Sequence, residues 1–99
     1  MARIAGVETQ LKGKVVLITG ASGGIGSAIA RTFAAEGANL VLHGHRNLAG
    51  LQQLQKELGH VESLLVSADL TREAGVKKVF AQSQKHFGGL DTLIANAGS

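Results

Sequence analysis

The stretch KVVLITGASGGIGSAIARTF, residues 14–33, decides the fold class of this chain. It begins with a short continuous run of apolar and β-branched residues, which is typical of a strand buried on both faces of a parallel sheet. Four glycines follow within a few positions: Gly20, Gly23, Gly24 and Gly26. Apolar residues then recur at helical spacing, at Ile25, Ile29 and Phe33. The stretch predicts a strand over Val15–Thr19 that turns directly into a helix from Gly24 to about Glu36, ended by Gly37.

The rest of the chain alternates strand and helix in the same way. Apolar runs predict three further strands: Asn39–His43, Val61–Ser67 and Leu90–Ala95. Helical spacing predicts one helix that carries Leu51, Leu54 and Leu58 and ends near Gly59. A last helix is predicted with Thr71 as its N-cap, an inner face of Val76, Val79, Phe80, Ser83 and Phe87, and an end at Gly88–Gly89. This alternation predicts an α/β fold with a parallel sheet and right-handed crossovers.

Composition narrows the class of protein. The 99 residues are 44% hydrophobic, which indicates a globular domain rather than a disordered chain. Without cysteine there is neither a disulfide framework nor a thiolate metal site, and four histidines with no nearby carboxylate partner lead us to expect no metal. The basic residues behind the net charge of +3 are scattered, and no Tyr or Trp is present to stack on bases, so we expect no nucleic-acid partner. No stretch approaches the roughly 20 apolar residues of a membrane span, and we expect a cytoplasmic protein without a membrane partner.

The glycine cluster predicts an anion site. Glycine permits positive φ and close packing in a strand-to-helix turn, and the free N–H groups of the first helical turn then favour a pyrophosphate. A tight turn with no ligand is the alternative. A P-loop is excluded because Gly26 is followed by Ser27 and Ala28 rather than by Lys and Ser or Thr. Strict G-x-G-x-x-G spacing is also absent, since its third glycine would fall at Ile29.

Three motifs resemble the short-chain dehydrogenase/reductase family. They are Thr-Gly-x-x-x-Gly-x-Gly at Thr19–Gly26, ADL at Ala68–Leu70 and ANAG at Ala95–Gly98, where Ala95 replaces the family's first Asn. Each motif follows a predicted strand, and the resemblance covers about residues 10–99. It implies a Rossmann-type parallel sheet of strand order 3-2-1-4, half of a doubly wound fold. Residues 1–12 would form an N-terminal extension and residues 13–99 a truncated dinucleotide-binding domain.

The resemblance also implies a site for a nicotinamide dinucleotide. On the phosphate side, Gly20, Gly24 and Gly26 would approach the pyrophosphate, while Ser22 and Ile25 would contact phosphate and nicotinamide. On the adenine side, Asp69 would accept a hydrogen bond from the amino group and Leu70 would lie along the base. On the ribose side, Asn96, Ala97 and Gly98 would line the site and tie the central strands together. A turn or capping role for Asp69 and a purely structural role for Asn96 stay open.

The segment HGHRN at the end of the second predicted strand favours NADP over NAD. Gly44 stands about where NAD-preferring members of the family carry Asp, and no Asp or Glu occurs between Gly37 and Glu57. His45 and Arg46 can instead face a 2′-phosphate, Arg46 with a bidentate fork. NAD stays open because Gly23 occupies a position where NADP-preferring relatives often carry a basic residue, and because some NAD-dependent members also lack the acid.

The catalytic residues that the resemblance implies are not found in this chain. The family uses a Tyr phenol, a Lys four residues later and a Ser, all beyond the ANAG motif, and the chain contains no Tyr. We therefore assign no catalytic residue. We expect a fragment, inactive alone, of an oxidoreductase that transfers hydride between nicotinamide and a carbonyl or hydroxyl substrate. A stand-alone nucleotide-binding or regulatory module is the alternative. The unpaired edge of the last strand predicts self-association or a homo-oligomer.

Overall fold

The computed structural model describes residues 11–96, so the predicted N-terminal extension lies almost wholly outside the described residues. Strands and helices alternate through this range: β1 (Val15–Ile18), α1 (Gly24–Ala35), β2 (Asn39–Gly44), α2 (Leu48–Glu57), β3 (Ser63–Ser67), α3 (Glu73–Phe87) and β4 (Thr92–Ile94). The strand pairings are all parallel, and the sheet order is β3-β2-β1-β4. The predicted α/β fold with strand order 3-2-1-4 is confirmed.

Helices cover both faces of the sheet, which explains the continuous apolar run of β1. Side chains alternate between the two faces of a strand. Val16 and Ile18 pack with the core beneath α1 and α2, whereas Leu17 packs with Val41 on the face that α3 covers. All four residues are almost completely buried, as expected of a parallel sheet with a helix layer on each side.

The buried face of α1 consists of small residues. The structure buries the small residues Gly26, Ala30 and Ala34, while Ile25 is 71% exposed. The large apolar residues at helical spacing lie beside this inner face rather than on it, and Ile29 and Phe33 are only partly buried. A row of small side chains lets the helix backbone approach the sheet closely, and the larger residues pack at the margins of that contact.

The expected inner face of α3 is wrong in part. Val79 and Ser83 are buried, but Val76 and Phe80 are 37% and 47% exposed. Leu93 on β4 is 51% exposed. β4 forms the sheet edge, and within residues 11–96 no helix lies beside α3 to cover its side chains. The end of α3 is as predicted, with Gly88 in the left-handed conformation at φ 84°.

Strand ends shift by one or two residues from the predicted bounds, which is the usual uncertainty at element termini. β3 begins two residues later than predicted, because Val61 lies in a turn in which its N–H donates to the Leu58 carbonyl. β2 extends one residue further, to Gly44. None of the helices in the described range is long and apolar enough to span a bilayer.

Candidate functional site

One cavity of about 1250 Å³ opens at the carboxyl ends of the four strands. β1 lies between β2 and β4, so the chain's progress across the sheet reverses there, and open α/β sheets bind ligands at such a point. The predicted site residues that line it are Gly20, Ser22, His45, Arg46, Asp69, Leu70 and Asn96. Gly24, Ile25 and Gly26 are not among its lining residues, and Ala97 and Gly98 lie outside the described residues.

The loop between β1 and α1 turns at Gly20, which has φ 64°. This left-handed conformation favours glycine because it has no Cβ. Its backbone is held on both sides of the Cα: the N–H donates to Nδ1 of His43 at 3.2 Å, and the carbonyl accepts from Nδ2 of Asn96 at 3.2 Å. Neighbouring strands therefore fix the first residue of the loop.

Gly24 and Gly26 meet different surroundings. A Cβ on Gly26 would lie 2.2 Å from the Gly20 carbonyl oxygen and 2.8 Å from Nδ2 of Asn96. Gly26 is thus required for the close approach of α1 to its own loop, and its Cα does not face a ligand. A Cβ on Gly24 would meet nothing within 4 Å, so this face of the turn is open.

The start of α1 fits an anionic group. Among residues 11–96, no acceptor receives a hydrogen bond from the N–H groups of Ser22, Gly24 or Ile25. Free N–H groups at a helix N-terminus, together with the positive end of the helix dipole, stabilise phosphate. The first turn of α1 carries no acidic side chain that would oppose it.

Asn96 joins β4 to β1. Its backbone N–H donates to Oγ1 of Thr19 at 2.8 Å, and its side chain donates to Gly20 as described above. The N–H of Thr19 in turn donates to the Ile94 carbonyl at 3.1 Å. The structural role that the sequence left open for Asn96 is therefore present, and the ribose contact remains a prediction.

Asp69 closes a turn after β3. Its Oδ1 accepts from the Thr71 hydroxyl at 2.6 Å and from the Thr71 N–H at 3.0 Å. These hydrogen bonds, first that of the hydroxyl, lower the pKa of the Asp69 carboxyl, and the charges of His45 and Arg72 act in the same direction. Oδ2 lies 3.7 Å from Nε of Arg72 and is the oxygen left for a further donor.

The expected N-cap of α3 is corrected by this turn. The helix begins after Arg72, which makes no side-chain capping hydrogen bond. Thr71 lies one residue earlier, and its hydroxyl is occupied by Asp69 rather than by a helix N–H. The Thr71 hydroxyl donates to Asp69, and this local hydrogen bond replaces the predicted cap of α3.

Two exposed basic residues, His45 and Arg46, follow β2 and line the cavity. No carboxylate within residues 11–96 forms an ion pair with Arg46. The residue before them, Gly44, is buried, and a Cβ there would lie 2.7 Å from Cδ1 of Leu51. The Arg46 guanidinium is therefore available to an anion. A side chain at position 44 would displace the side chain of Leu51 on α2.

Sequence reasoning missed the roles of two residues. The structure buries His43 at the wall of the cavity and gives each of its ring nitrogens a hydrogen-bond partner. A Cβ on Gly75 would lie 2.0 Å from the carbonyl oxygen of Asp69, so Gly75 lets α3 approach the Asp69 turn. A glycine inside a helical pattern was the available signal for the second. In the described part of the chain, no three His, Asp or Glu side chains cluster so as to hold a metal ion.

The fold and the cavity define a dinucleotide-binding α/β class, and comparison with known proteins identifies the family. The family model described as short chain dehydrogenase matches residues 14–99, and the chain belongs to this family. It is 43% identical over 94 residues to a glucose 1-dehydrogenase of Gluconobacter oxydans, a match that covers 92% of this chain and 35% of that protein.

Solved structures give the same result. L-sorbose reductase from Gluconobacter frateurii, complexed with NADPH and L-sorbose, superposes with a TM-score of 0.84 at 38% identity, over 94% of this chain and 36% of that one. A blue fluorescent protein from a metagenomic library, in complex with NADPH, gives a TM-score of 0.84 at 33% identity, over 92% of this chain and 38% of its own. The chain therefore spans about a third of the length of these relatives.

Proposed function

We propose that this chain is the NADP-binding portion of a short-chain dehydrogenase/reductase. The observation that carries the proposal is the cavity at the carboxyl ends of the strands, where the glycine loop, the Asp69 turn and Arg46 meet. Two similar structures are complexes with NADPH, which supports the same ligand here.

The residues take distinct roles in this proposal. The pyrophosphate lies against the start of α1, where Ser22, Gly24 and Ile25 offer free N–H groups. Gly20 and Gly26 act indirectly, because one shapes the loop and the other lets the helix approach it. The adenine lies beside Asp69 and Leu70, with Oδ2 of Asp69 as the acceptor of its amino group. Asn96, with Ala97 and Gly98 after it, lines the ribose side.

Selection of NADP rests on the end of β2. An acid at position 44 would repel a 2′-phosphate, and this chain has glycine there with Leu51 packed against it. Arg46 is exposed and lacks a carboxylate partner among the described residues, so its planar fork is free for the phosphate.

The bound dinucleotide supplies hydride exchange with a carbonyl or hydroxyl carbon. Because the chain contains no tyrosine, the phenol that serves the substrate oxygen in this family is not among its residues. We propose that the 99-residue chain binds the dinucleotide without turnover and acts within a longer cytoplasmic enzyme. Residues 13–99 form the binding domain. In the isolated 99-residue chain, β4 is an edge of the described sheet, and copies associate through it.

A charge reversal at Arg46 tests the proposed function. Loss of a charged hydrogen-bond partner costs about 1.5–3 kcal/mol, so Arg46→Glu is expected to weaken NADPH by about 10- to 100-fold and NADH much less. Lys56→Glu, an equal charge change at an exposed position on α2, is the control and should leave both affinities near those of the unaltered chain. Equal losses of NADPH and NADH in Arg46→Glu would contradict the assignment of the phosphate to Arg46.

A further inference from the structure

We infer that His43 is a positioning residue for the dinucleotide, holding the glycine loop and the adenine-side turn at a fixed separation. The inference deepens the proposed function and rests on it for the identity of the ligand. The geometry comes from hydrogen bonds that this one residue makes to two other segments of the site.

His43 holds two successive N–H groups of the loop. The Gly20 N–H donates to its ring nitrogen Nδ1 at 3.2 Å, and the Ala21 N–H donates to its backbone carbonyl at 2.9 Å. On its other side, Nε2 lies 2.8 Å from the carbonyl oxygen of Ala68. Since Nδ1 accepts and a carbonyl cannot donate, the neutral ring carries its proton on Nε2.

The bridge joins the two halves of the site. Gly20 opens the loop that carries the phosphate-binding N–H groups, and Ala68 directly precedes Asp69. The Gly20 carbonyl belongs to the next peptide group and accepts from Asn96, so His43 and Asn96 hold the two peptide groups on either side of the Gly20 Cα, one from β2 and one from β4. Removal of the imidazole releases the N–H of the Thr19–Gly20 peptide and the Ala68 carbonyl together, so the side chain that joins the loop to the Asp69 turn is lost.

Packing alone does not require an imidazole at this position. Val41 lies two residues earlier on the same face of β2, and its aliphatic side chain packs in the buried apolar cluster on that face. His43 is only 3% exposed, so both polar atoms of its ring require a hydrogen-bond partner within the protein. Replacement by an apolar residue removes the partner of the partly buried Gly20 N–H and of the carbonyl of Ala68, which is buried.

Two substitutions of His43 distinguish a positioning role, which depends on its hydrogen bonds, from a packing role, which depends only on its volume. His43→Leu keeps an apolar body but removes both hydrogen bonds, whereas His43→Gln offers one acceptor and one donor at its end. We expect NADPH affinity, measured by calorimetry, to fall at least about tenfold in His43→Leu and to stay within about threefold of the unaltered chain in His43→Gln. Unchanged affinity in His43→Leu, or equal losses in both variants, would overturn the inference.

Nitrogen-15 NMR of the unaltered chain tests the bridge without any ligand and without a variant that must fold. The inference requires an unprotonated Nδ1, a protonated Nε2 and slow hydrogen exchange of the Gly20 amide. A proton on Nδ1 or a rapidly exchanging Gly20 amide would overturn it. If these signals are as expected but neither NADPH nor NADH binds, the proposed function fails and the role of His43 toward a dinucleotide falls with it, whereas altered signals beside normal binding remove the His43 inference alone.

Discussion

Gly26→Ala is expected to destabilise the chain through a clash inside the protein. The new Cβ would lie 2.2 Å from the Gly20 carbonyl oxygen, 2.8 Å from Nδ2 of Asn96 and 3.0 Å from Cα of Ala21. Ordinary contact begins near 3.4 Å, so the oxygen and the helix must separate by more than 1 Å. The oxygen belongs to the Gly20–Ala21 peptide, whose N–H donates to the His43 backbone carbonyl and whose oxygen accepts from Asn96, so a side-chain rotation cannot relieve the contact.

The magnitude follows from two opposing contributions. Overpacking of a well-packed contact costs about 1–3 kcal/mol, and replacement of a helical glycine by alanine returns up to about 1 kcal/mol. The contact is with backbone on both sides, which places the cost at the upper end of its range. We expect a net loss of about 1–2 kcal/mol in the free energy of unfolding, or roughly 4–16 °C in Tm for a domain of this size.

Gly24→Ala is the matched control, because a Cβ there meets nothing within 4 Å. Far-UV circular dichroism during thermal and urea unfolding is the assay, since the chain has no Trp or Tyr to report by fluorescence. Gly24→Ala should keep or raise the Tm of the unaltered chain, since the helical glycine is replaced without a clash, while weakening dinucleotide binding at the open face of the turn. Equal stability of the two variants would refute the argument that Gly26 is needed for close packing.

Three further predictions address other parts of the site. Gly44→Asp should favour NADH relative to NADPH and lower stability through the contact with Leu51; Gly44→Ala should lower stability without the change in preference, and calorimetry with both ligands separates them. The pKa of the Asp69 carboxyl, followed by carbon-13 NMR, should lie below the unperturbed Asp value of about 3.9 and rise in Thr71→Val. Because the folded state lowers this pKa, the carboxylate stabilises the fold above about pH 4 and that contribution is lost as pH falls through the lowered value, whereas a flat stability profile in this range would contradict it. Gly75→Ala should weaken adenine binding by displacing the Asp69 carbonyl, and unchanged affinity together with unchanged Tm would disprove that contact.

The sequence predicted the sheet well because its signals are local. Continuous apolar runs place the strands, and glycine in the left-handed conformation ends α3 as expected at Gly88. Strand order followed from a family resemblance that rests on motifs at Thr19–Gly26 and Ala68–Leu70. The structure then placed both motifs at one cavity, because parallel strands present their carboxyl ends on the same side of the sheet.

The sequence did not predict the burial or the role of residues whose surroundings are set by tertiary contacts or by competing hydrogen bonds. Helical spacing of the large apolar residues does not reveal that the buried face of α1 consists of Gly26, Ala30 and Ala34. Phe80 was expected inside because it is apolar, but at that point β4 is the edge of the described sheet. Thr71 matched a capping pattern, but its hydroxyl donates a hydrogen bond to Asp69 and does not cap the helix. The bridging role of His43 depends on two segments more than 20 residues away, at Gly20 and Ala68, and no local pattern reveals it.

The carboxyl ends of the strands are proposed to form a working dinucleotide site. Isothermal titration calorimetry of the 99-residue chain with NADPH and, separately, with NADH tests this proposal most directly. We expect saturable binding of both, with one site per chain and tighter binding of NADPH. No heat of binding from either ligand, with the chain shown to be folded by circular dichroism, would contradict the claim.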